Sequence, residues 1–142
     1  MKKIILLLLF AIPIVSFAQN QKTTWDYPVK PGSEEWRHSP YVEKIQKNQP
    51  PASMINQMAT TDLLDLCLQY PFNKDILLFN NPNIAMRKVL KESFGWQEFI
   101  KRKDAVETFI GYYNKLPTDK IESVPDEKVR NNDRFIFYFF EN

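Results

Sequence analysis

The stretch TTDLLDLCLQYP, from Thr60 to Pro71, decides the fold class because both of its ends are marked and its centre is apolar. Thr60 can cap the start of a helix, and Asp62 and Asp65 lie near the positive end of that helix's dipole. Pro71 cannot continue the helical hydrogen-bond ladder. Leucines and Cys67 occupy most of the surface between these marks, so the helix must be covered on more than one side. The stretch therefore predicts a buried helix at the centre of an α-helical domain.

Start and stop signals predict further short helices before and after this one. Ser39-Pro40 and Asn81-Pro82 each place a capping side chain before a proline at the first helical position. Asp104 opens another helix, with Glu107 as its partner in a capping box. Phe94-Gly95 predicts the end of a helix, with the glycine just beyond its last turn. These signals lie close together, so each predicted helix is short.

Apolar residues at helical spacing predict which face of each helix is buried. In the last helix that face is predicted to consist of Val106, Phe109, Ile110 and Tyr113. The segment after Pro71 is also predicted to be helical, with Asn73 as its cap. Such short helices are not stable alone and must be held by their neighbours. Residues 39–116 are therefore predicted to form an irregular array of six or seven short helices, a mainly α fold.

The first eighteen residues have the pattern of a signal peptide. Lys2 and Lys3 precede an apolar run from Ile4 to Val15, and small residues at Ser16 and Ala18 suit a cleavage site before Gln19. The run is shorter than the roughly 20 apolar residues that span a membrane as a helix. We expect export to the periplasm or outside the cell, with no stable membrane span after cleavage.

Removal of this signal changes the size and charge of the chain. Of 142 residues, 124 remain, which suits one domain with a single core. The two lysines of the signal account for the formal net charge of +2, so the mature chain is formally neutral. A neutral chain does not favour nucleic acid as a partner. With Cys67 as its single cysteine, the chain has no internal disulfide.

Residues 19–38 are polar and contain prolines, and they are predicted to form an extended leader. The aromatic residues in this part of the chain are Trp25, Tyr27 and Trp36. Such residues can attach a terminus to the body of a domain, or they can be exposed and bind a partner. We expect these three to contribute to a partner-binding surface.

A basic junction, Lys101-Arg102-Lys103, lies between two predicted helices. Grouped cations can bind an acidic partner. They also stabilise the C-terminal end of a helix, and that structural role is the alternative here. Lys101, Arg102 and Lys103 are therefore added to the possible partner-binding residues.

Residues 117–142 form a charged linker followed by an aromatic tail. Six consecutive apolar or aromatic residues run from Phe135 to Phe140, and their pattern does not distinguish a strand from the start of a further helix. An exposed run of this kind would promote aggregation, so this domain, a partner or further chain is expected to cover it. The sequence stops two residues later, and a truncated end is among the expected explanations.

Few residues in the chain suit catalysis. His38, the single histidine, is expected to be a surface or capping residue, and Cys67 lies between leucines and is expected in the core. One cysteine and one histidine cannot build a zinc site, and no cofactor is predicted. The carboxylate pairs that could support glycoside hydrolysis are Glu34 with Glu35 and Asp62 with Asp65.

Four stretches resemble a group of uncharacterised exported helical proteins from Bacteroidetes-type bacteria. They are PGSEEW at 31–36, TTDLLDLCLQYPF at 60–72, LLFNN at 77–81 and FIKRKDA at 99–105. Members of the group continue past a similar aromatic stretch into further helices, whereas this sequence stops there. The resemblance implies a helical fold, but it implies no activity, cofactor or site residue.

The prediction for function is a non-enzymatic interaction or scaffold protein, whose partner is another exported protein or a component of the cell envelope. One alternative is a carboxylate-based glycan hydrolase, and another is a small-ligand carrier with an aromatic-lined cavity. An enzyme should bring two carboxylates together in a concave pocket, and a carrier should enclose an apolar cavity. A scaffold needs neither.

Overall fold

The computed structural model describes residues 24–116, and every regular element in this range is helical. The mainly α fold is confirmed. In chain order the elements are α1 (Glu34–His38), α2 (Tyr41–Lys47), α3 (Ala52–Gln57), α4 (Thr60–Leu68), a 3₁₀ helix (Pro71–Leu78), α5 (Pro82–Glu92), α6 (Phe94–Phe99) and α7 (Ala105–Tyr113). None of these helices is long and apolar enough to cross a membrane. The predicted signal peptide and aromatic tail lie outside the described residues.

Helix α4 forms the centre of the core, as its sequence predicts. Its buried side chains include Leu63, Leu64, Leu66, Cys67 and Leu68. Helices α6 and α7 pack against it, and α6 also packs against α3 and α5. Helices α3, α5 and α7 therefore all pack against the pair that α4 and α6 form.

Gly95 lets α4 and α6 approach each other closely. The prediction that it ends a helix is wrong, because it lies inside α6. A Cβ atom on Gly95 would lie 3.0 Å from Leu66 Cδ2 and 3.2 Å from Cys67 Sγ, both on α4. The end of α5 is instead marked by Ser93, whose hydroxyl oxygen accepts a hydrogen bond from the backbone N–H of Trp96 at the start of α6.

Two predicted helix caps bind each other instead of their own helices. Ala59 holds the cap position of α4, and Thr60 is the first residue of the helix. The Oγ1 of Thr60 donates to Asp104 Oδ1 at 2.8 Å. Asp104 holds the cap position of α7, but its side chain accepts no hydrogen bond from that helix, so the predicted capping box with Glu107 is wrong. This bond joins the starts of α4 and α7 across 44 residues of sequence.

The other cap predictions have mixed outcomes. Asn81 is confirmed as the cap of α5, because its Oδ1 accepts from the backbone N–H groups of Asn83 and Ile84. Ser39 instead ends α1, and Pro40 takes the cap position of α2 without any side-chain bond.

The prediction of an extended leader over residues 19–38 is corrected at its end, because Glu34–His38 form α1, with Ser33 Oγ accepting from the backbone N–H of Trp36. The described residues before α1 are fixed by Asn48, whose side chain bonds both the N–H and the C=O of buried Val29, at 3.0 and 2.8 Å. The segment is thus part of the folded domain.

Asn73 joins three elements of the core. It was predicted to cap the following helix, but its side chain is buried and its Nδ2 donates to the C=O groups of Cys67 (2.8 Å) and Leu68 (3.1 Å). Its Oδ1 accepts from Trp96 Nε1 on α6 at 3.1 Å. One side chain thus satisfies the last carbonyls of α4 and the indole N–H of α6.

Substitution of Gly95 should show how closely the two helices approach. We expect Gly95→Ala to lower the free energy of unfolding by about 1–2 kcal/mol, because overpacking outweighs the gain in helix propensity. Gly111→Ala is the matched control on α7, where a Cβ meets no atom within 4 Å. It should raise stability by about 0.5–1 kcal/mol. Urea unfolding of the three proteins measures both changes, and a gain in both variants would contradict the close contact.

Removal of the Asn73 side chain should be costly. In Asn73→Ala the indole N–H of Trp96 and the carbonyl of Leu68 lose their hydrogen bonds to Asn73 in a buried place, and the carbonyl of Cys67 keeps only backbone donors, so we expect a loss of about 2–4 kcal/mol. Asn80→Ala, at an exposed position a few residues later, should change stability by less than about 0.5 kcal/mol. Equal losses in the two variants, measured by thermal unfolding, would show that the hydrogen bonds of Asn73 are not the cause.

Candidate functional site

The expectation that Tyr27 is an exposed partner-binding residue is wrong, because its side chain is buried. Its side chain is 4% exposed, and its hydroxyl donates to the backbone carbonyl of Leu66 at 3.0 Å. Its ring contacts that of Tyr70, with the ring centroids 5.8 Å apart. Burial, with smaller contributions from Cys67 and Tyr70, raises the pKa of Tyr27 well above its usual range. The residue attaches the N-terminal segment to α4.

Trp25 and Trp36, the two tryptophans of the predicted partner-binding surface, are half-buried and pack against the core. The ring of Trp36 contacts that of Phe72 at a centroid distance of 4.8 Å, and Lys44 Nζ lies 4.9 Å from the Trp36 ring centroid. Trp25 packs against the same core and is only partly exposed. These contacts leave little open ring surface on Trp36, so it does not offer a flat stacking surface to a ligand.

Arg102 holds helix α3 in place, while its two neighbours face solvent. Its Nη1 and Nη2 donate to the carbonyls of Met58 (3.2 Å) and Ile55 (3.0 Å), and its Nε donates to Glu98. Carbonyls at a helix end need such partners, so this contact has a structural role. Lys101 and Lys103 are exposed. Of the basic junction, the two lysines are the cations that present their charge to solvent.

Four polar side chains meet at a place that the sequence did not indicate. We call Tyr41, Asp75, Lys88 and Glu92 the Tyr41 cluster. The hydroxyl of Tyr41 donates to Glu92 Oε2 at 2.8 Å and lies 3.4 Å from Asp75 Oδ2, and Lys88 Nζ donates to that hydroxyl. Lys88 also pairs with Glu92 at 3.3 Å and with Asp75 at 3.9 Å. The cluster joins α2, the 3₁₀ helix and α5.

Partial burial raises the pKa of two members of this cluster, Tyr41 and Asp75. Burial, followed by the hydrogen bond to Glu92, raises the pKa of Tyr41 far above its usual range, so the phenol stays neutral. Burial also raises the pKa of Asp75, although Lys88 and the bond to Tyr41 act in the opposite direction. A carboxylic acid with a raised pKa next to a second carboxylate is the pair that acid–base catalysis uses.

Contacts within the Tyr41 cluster occupy its polar groups. The ammonium of Lys88 lies between the two carboxylates, and it is 4.2 Å from the ring centroid of Tyr41 and 5.8 Å from that of Phe79. Each acid has a partner inside the protein. The cluster is therefore best explained as a structural contact that joins α2, the 3₁₀ helix and α5. Glycoside hydrolysis by Asp75 and Glu92 would require Lys88 to move.

The carboxylate pairs named from the sequence do not form such a centre. Glu35 is exposed and pairs with Lys47 at 2.7 Å, and Asp62 lies in the first turn of α4. The sequence signal that could have indicated the Tyr41 cluster is the i, i+4 spacing of Lys88 and Glu92, which places both on one face of α5. Residues 24–116 contain no group of three or more His, Cys, Asp or Glu side chains that could hold a metal ion.

The single histidine and the single cysteine have the structural positions that the sequence favours. His38 is exposed at the end of α1. Cys67 is fully buried on α4, and burial raises the pKa of its thiol well above the usual value. A buried thiol with a raised pKa is a poor nucleophile.

Helix α7 has an apolar surface that its neighbours cover only in part. Ala105 and Phe109 are buried, but Val106 is 71% exposed and Ile110 is 42% exposed. The prediction that these last two residues face the core is wrong, because the apolar arc of α7 is wider than the surface that α4 offers. Val106 and Ile110 are one turn apart and share a face, which we call the α7 face. The exposed lysines 101 and 103 lie in the turn before it.

The raised pKa of Asp75 has a consequence for stability. Because the folded protein holds this proton more tightly than the unfolded chain, the contribution of Asp75 to the stability of the folded state should become more favourable as the pH falls through the folded pKa towards 3.8. Asp75→Asn imitates the protonated acid, so the variant should be more stable than the wild type at pH 7, and the difference should vanish in acid. Urea unfolding from pH 7 to pH 3 measures it, and a constant difference would contradict the assignment.

Comparisons with known proteins give no relative on which a function could be based. No protein-family model matches the chain. No curated protein and no solved structure is significantly similar to it. The resemblance to exported helical proteins of Bacteroidetes-type bacteria therefore stays a prediction.

Proposed function

We propose that this protein is a non-enzymatic interaction module, exported from the cell, and that its α7 face binds another exported protein. The observation that supports this most directly is the exposure of Val106 and Ile110 beside the buried Ala105 and Phe109. Two large aliphatic side chains on one helix face are a small but well-defined apolar surface. The signal-peptide pattern of residues 1–18 supports the compartment.

The surroundings of the α7 face favour a partner with a particular chemistry. Lys101 and Lys103 are exposed in the turn at the start of the helix, and neither takes part in the contacts of Arg102 to α3. An interface with an apolar centre and a charged rim is typical of proteins that associate reversibly. The partner is therefore expected to present an apolar patch with acidic side chains at one edge.

A second candidate function is carboxylate-based glycan hydrolysis. The supporting observation is that Asp75 and Glu92 both lie at the hydroxyl of Tyr41 and that burial raises the pKa of Asp75. This candidate ranks lower because Lys88 pairs with both acids. It predicts that Glu92→Gln abolishes the release of reducing sugar from a glycan that the wild type cleaves.

A small-ligand carrier has less support than either function. Aromatic rings of the described residues contact one another in two groups, with centroid distances between 4.8 and 6.4 Å. The members of the first group are Tyr27, Trp36, Tyr41, Tyr70 and Phe72, and those of the second are Trp96, Phe99 and Phe109. Rings that contact each other fill space by themselves, so these contacts do not favour an aromatic-lined cavity.

Site-specific crosslinking in the organism that makes the protein tests the proposal. A photo-crosslinking residue at position 106 or 110 should capture the same exported protein. The matched control is position 42, because Val42 is also on a helix and is 63% exposed. That position should capture nothing, or a different set of proteins. No common product at 106 and 110, or the same product at 42, would contradict the proposal.

Charge reversal tests the role of the two lysines with the purified partner. Lys101→Glu combined with Lys103→Glu should weaken binding about tenfold, because two rim charges would then repel the acidic edge of the partner. The loss should be smaller at high salt, where exposed charges are screened. Titration calorimetry at two salt concentrations measures both effects. Unchanged affinity would show that the lysines do not face the partner.

A further inference from the structure

We propose that the tip of the helical hairpin formed by the 3₁₀ helix and α5 contacts an anionic lipid surface. The two helices pack against each other, and residues 79–81 between them form the tip of the hairpin. Four exposed residues at and behind this tip make up what we call the hairpin face: Leu78, Ile84, Arg87 and Lys91. This surface is on other helices than the α7 face, so the proposal does not depend on partner binding at α7.

The apolar part of the hairpin face is at the tip. Leu78, the last residue of the 3₁₀ helix, is 79% exposed, which is more than Val106 on the α7 face. Ile84, in the first turn of α5, is 56% exposed. The exposed polar residues beside them are neutral asparagines, at positions 80, 81 and 83. Apolar side chains next to neutral polar ones suit the boundary between the headgroups and the acyl chains of a bilayer.

The cationic part of the hairpin face lies further along α5. Arg87 and Lys91 follow Ile84 by three and seven residues, so the three exposed side chains share one face of the helix. Within residues 24–116, neither of these two cations forms an ion pair with an acid. Both charges are therefore available to a ligand outside the protein.

The hairpin is more positive than the rest of the chain. From residue 71 to residue 92 there are four basic side chains (Lys74, Arg87, Lys88, Lys91) and two acidic ones (Asp75, Glu92), a formal net charge of 4 − 2 = +2. Both acids belong to the Tyr41 cluster, where the Tyr41 hydroxyl and Lys88 contact them. The acids at the base of the hairpin are thus engaged inside the protein, and an anionic surface meets Arg87 and Lys91.

The order of these residues favours a lipid surface over an acidic protein. Along the axis of α5, Arg87 and Lys91 lie about 4.5 and 10.5 Å behind Ile84. The polar headgroup layer on each side of a bilayer is about 5–8 Å thick. If Ile84 enters as far as the acyl chains, Arg87 therefore lies among the phosphate groups and Lys91 at their outer edge. An apolar tip with cations behind it matches the layers of an anionic bilayer, whereas an acidic protein requires no such order.

Binding to vesicles tests the charge requirement. The chain from Gln19 to Asn142 should sediment with vesicles of phosphatidylglycerol and phosphatidylcholine in equal parts, and should not sediment with phosphatidylcholine alone. Arg87→Gln combined with Lys91→Gln should weaken this binding about thirtyfold, because each cation near an anionic surface contributes about fivefold.

The matched control is Lys101→Gln combined with Lys103→Gln, which removes the same charge from another exposed site. Since the effect of charges away from the contact is screened, this control should weaken binding less than about twofold. All variants share the rest of the chain, so a difference between them reports the substituted positions. Equal losses in the two double variants, or a wild type that does not bind phosphatidylglycerol vesicles, would overturn the proposal.

A fluorescent label tests which part of the protein meets the lipid. Because Cys67 is fully buried, a thiol-reactive dye attaches to the introduced cysteine of Ile84→Cys or of the control Val42→Cys. Phosphatidylglycerol vesicles should shift the emission of an environment-sensitive dye at position 84 to shorter wavelength and leave that at position 42 unchanged. No shift at 84, or an equal shift at both positions, contradicts insertion of the tip.

Crosslinking separates this proposal from a protein occupant and from the proposed function. If a photo-crosslinking residue at position 84 captures a protein in the organism while the purified chain does not bind the vesicles, the occupant is an acidic protein and the lipid proposal is overturned. If vesicle binding is as expected but positions 106 and 110 capture no common partner, the proposed function fails and the lipid contact remains.

Discussion

The close approach of α4 and α6 is the constraint on which the other contacts depend. It exists because Gly95 has no side chain where the two helices meet. A Cβ atom on Gly95 would lie only 3.0 Å from Leu66 Cδ2 and 3.2 Å from Cys67 Sγ. This approach brings Trp96 within reach of Asn73, and Asn73 in turn satisfies the last carbonyls of α4. A wider spacing would lose the packing of the core and these buried hydrogen bonds together.

Helices this short need contacts with other elements, because isolated helices of fewer than about 12 residues are marginal in water. Here these contacts include side chains that form hydrogen bonds to backbone groups or side chains of elements distant in sequence. Asn48 holds Val29, Arg102 holds the end of α3, and Thr60 holds Asp104. Each connects segments between 19 and 47 residues apart in sequence. Stability thus comes from packing and from these connections, more than from the propensity of any one helix.

This origin of stability explains what could be predicted from the sequence. The composition of α4 predicts its burial, because its leucines and Cys67 leave only a narrow polar strip with Asp62 and Asp65. Asn81 caps its own helix by a local contact. Thr60 and Asp104 have the sequence pattern of local caps, but their side chains bond each other, which no local pattern reveals. The Tyr41 cluster was missed for the same reason, because Tyr41 is 34 residues from Asp75 and 51 from Glu92.

On α7 the sequence correctly predicts a helix with a broad apolar surface, but the core covers only part of that surface. Helical spacing places Val106, Phe109 and Ile110 on one broad apolar arc, yet the core covers only the part that contains Phe109. Val106 and Ile110 lie largely outside the core, so the packing of the core does not explain why they are apolar. Apolar surface that the core does not use favours a contact outside the core. For this reason α7 is a better candidate for a binding surface than the Tyr41 cluster, whose polar groups already have partners within the protein.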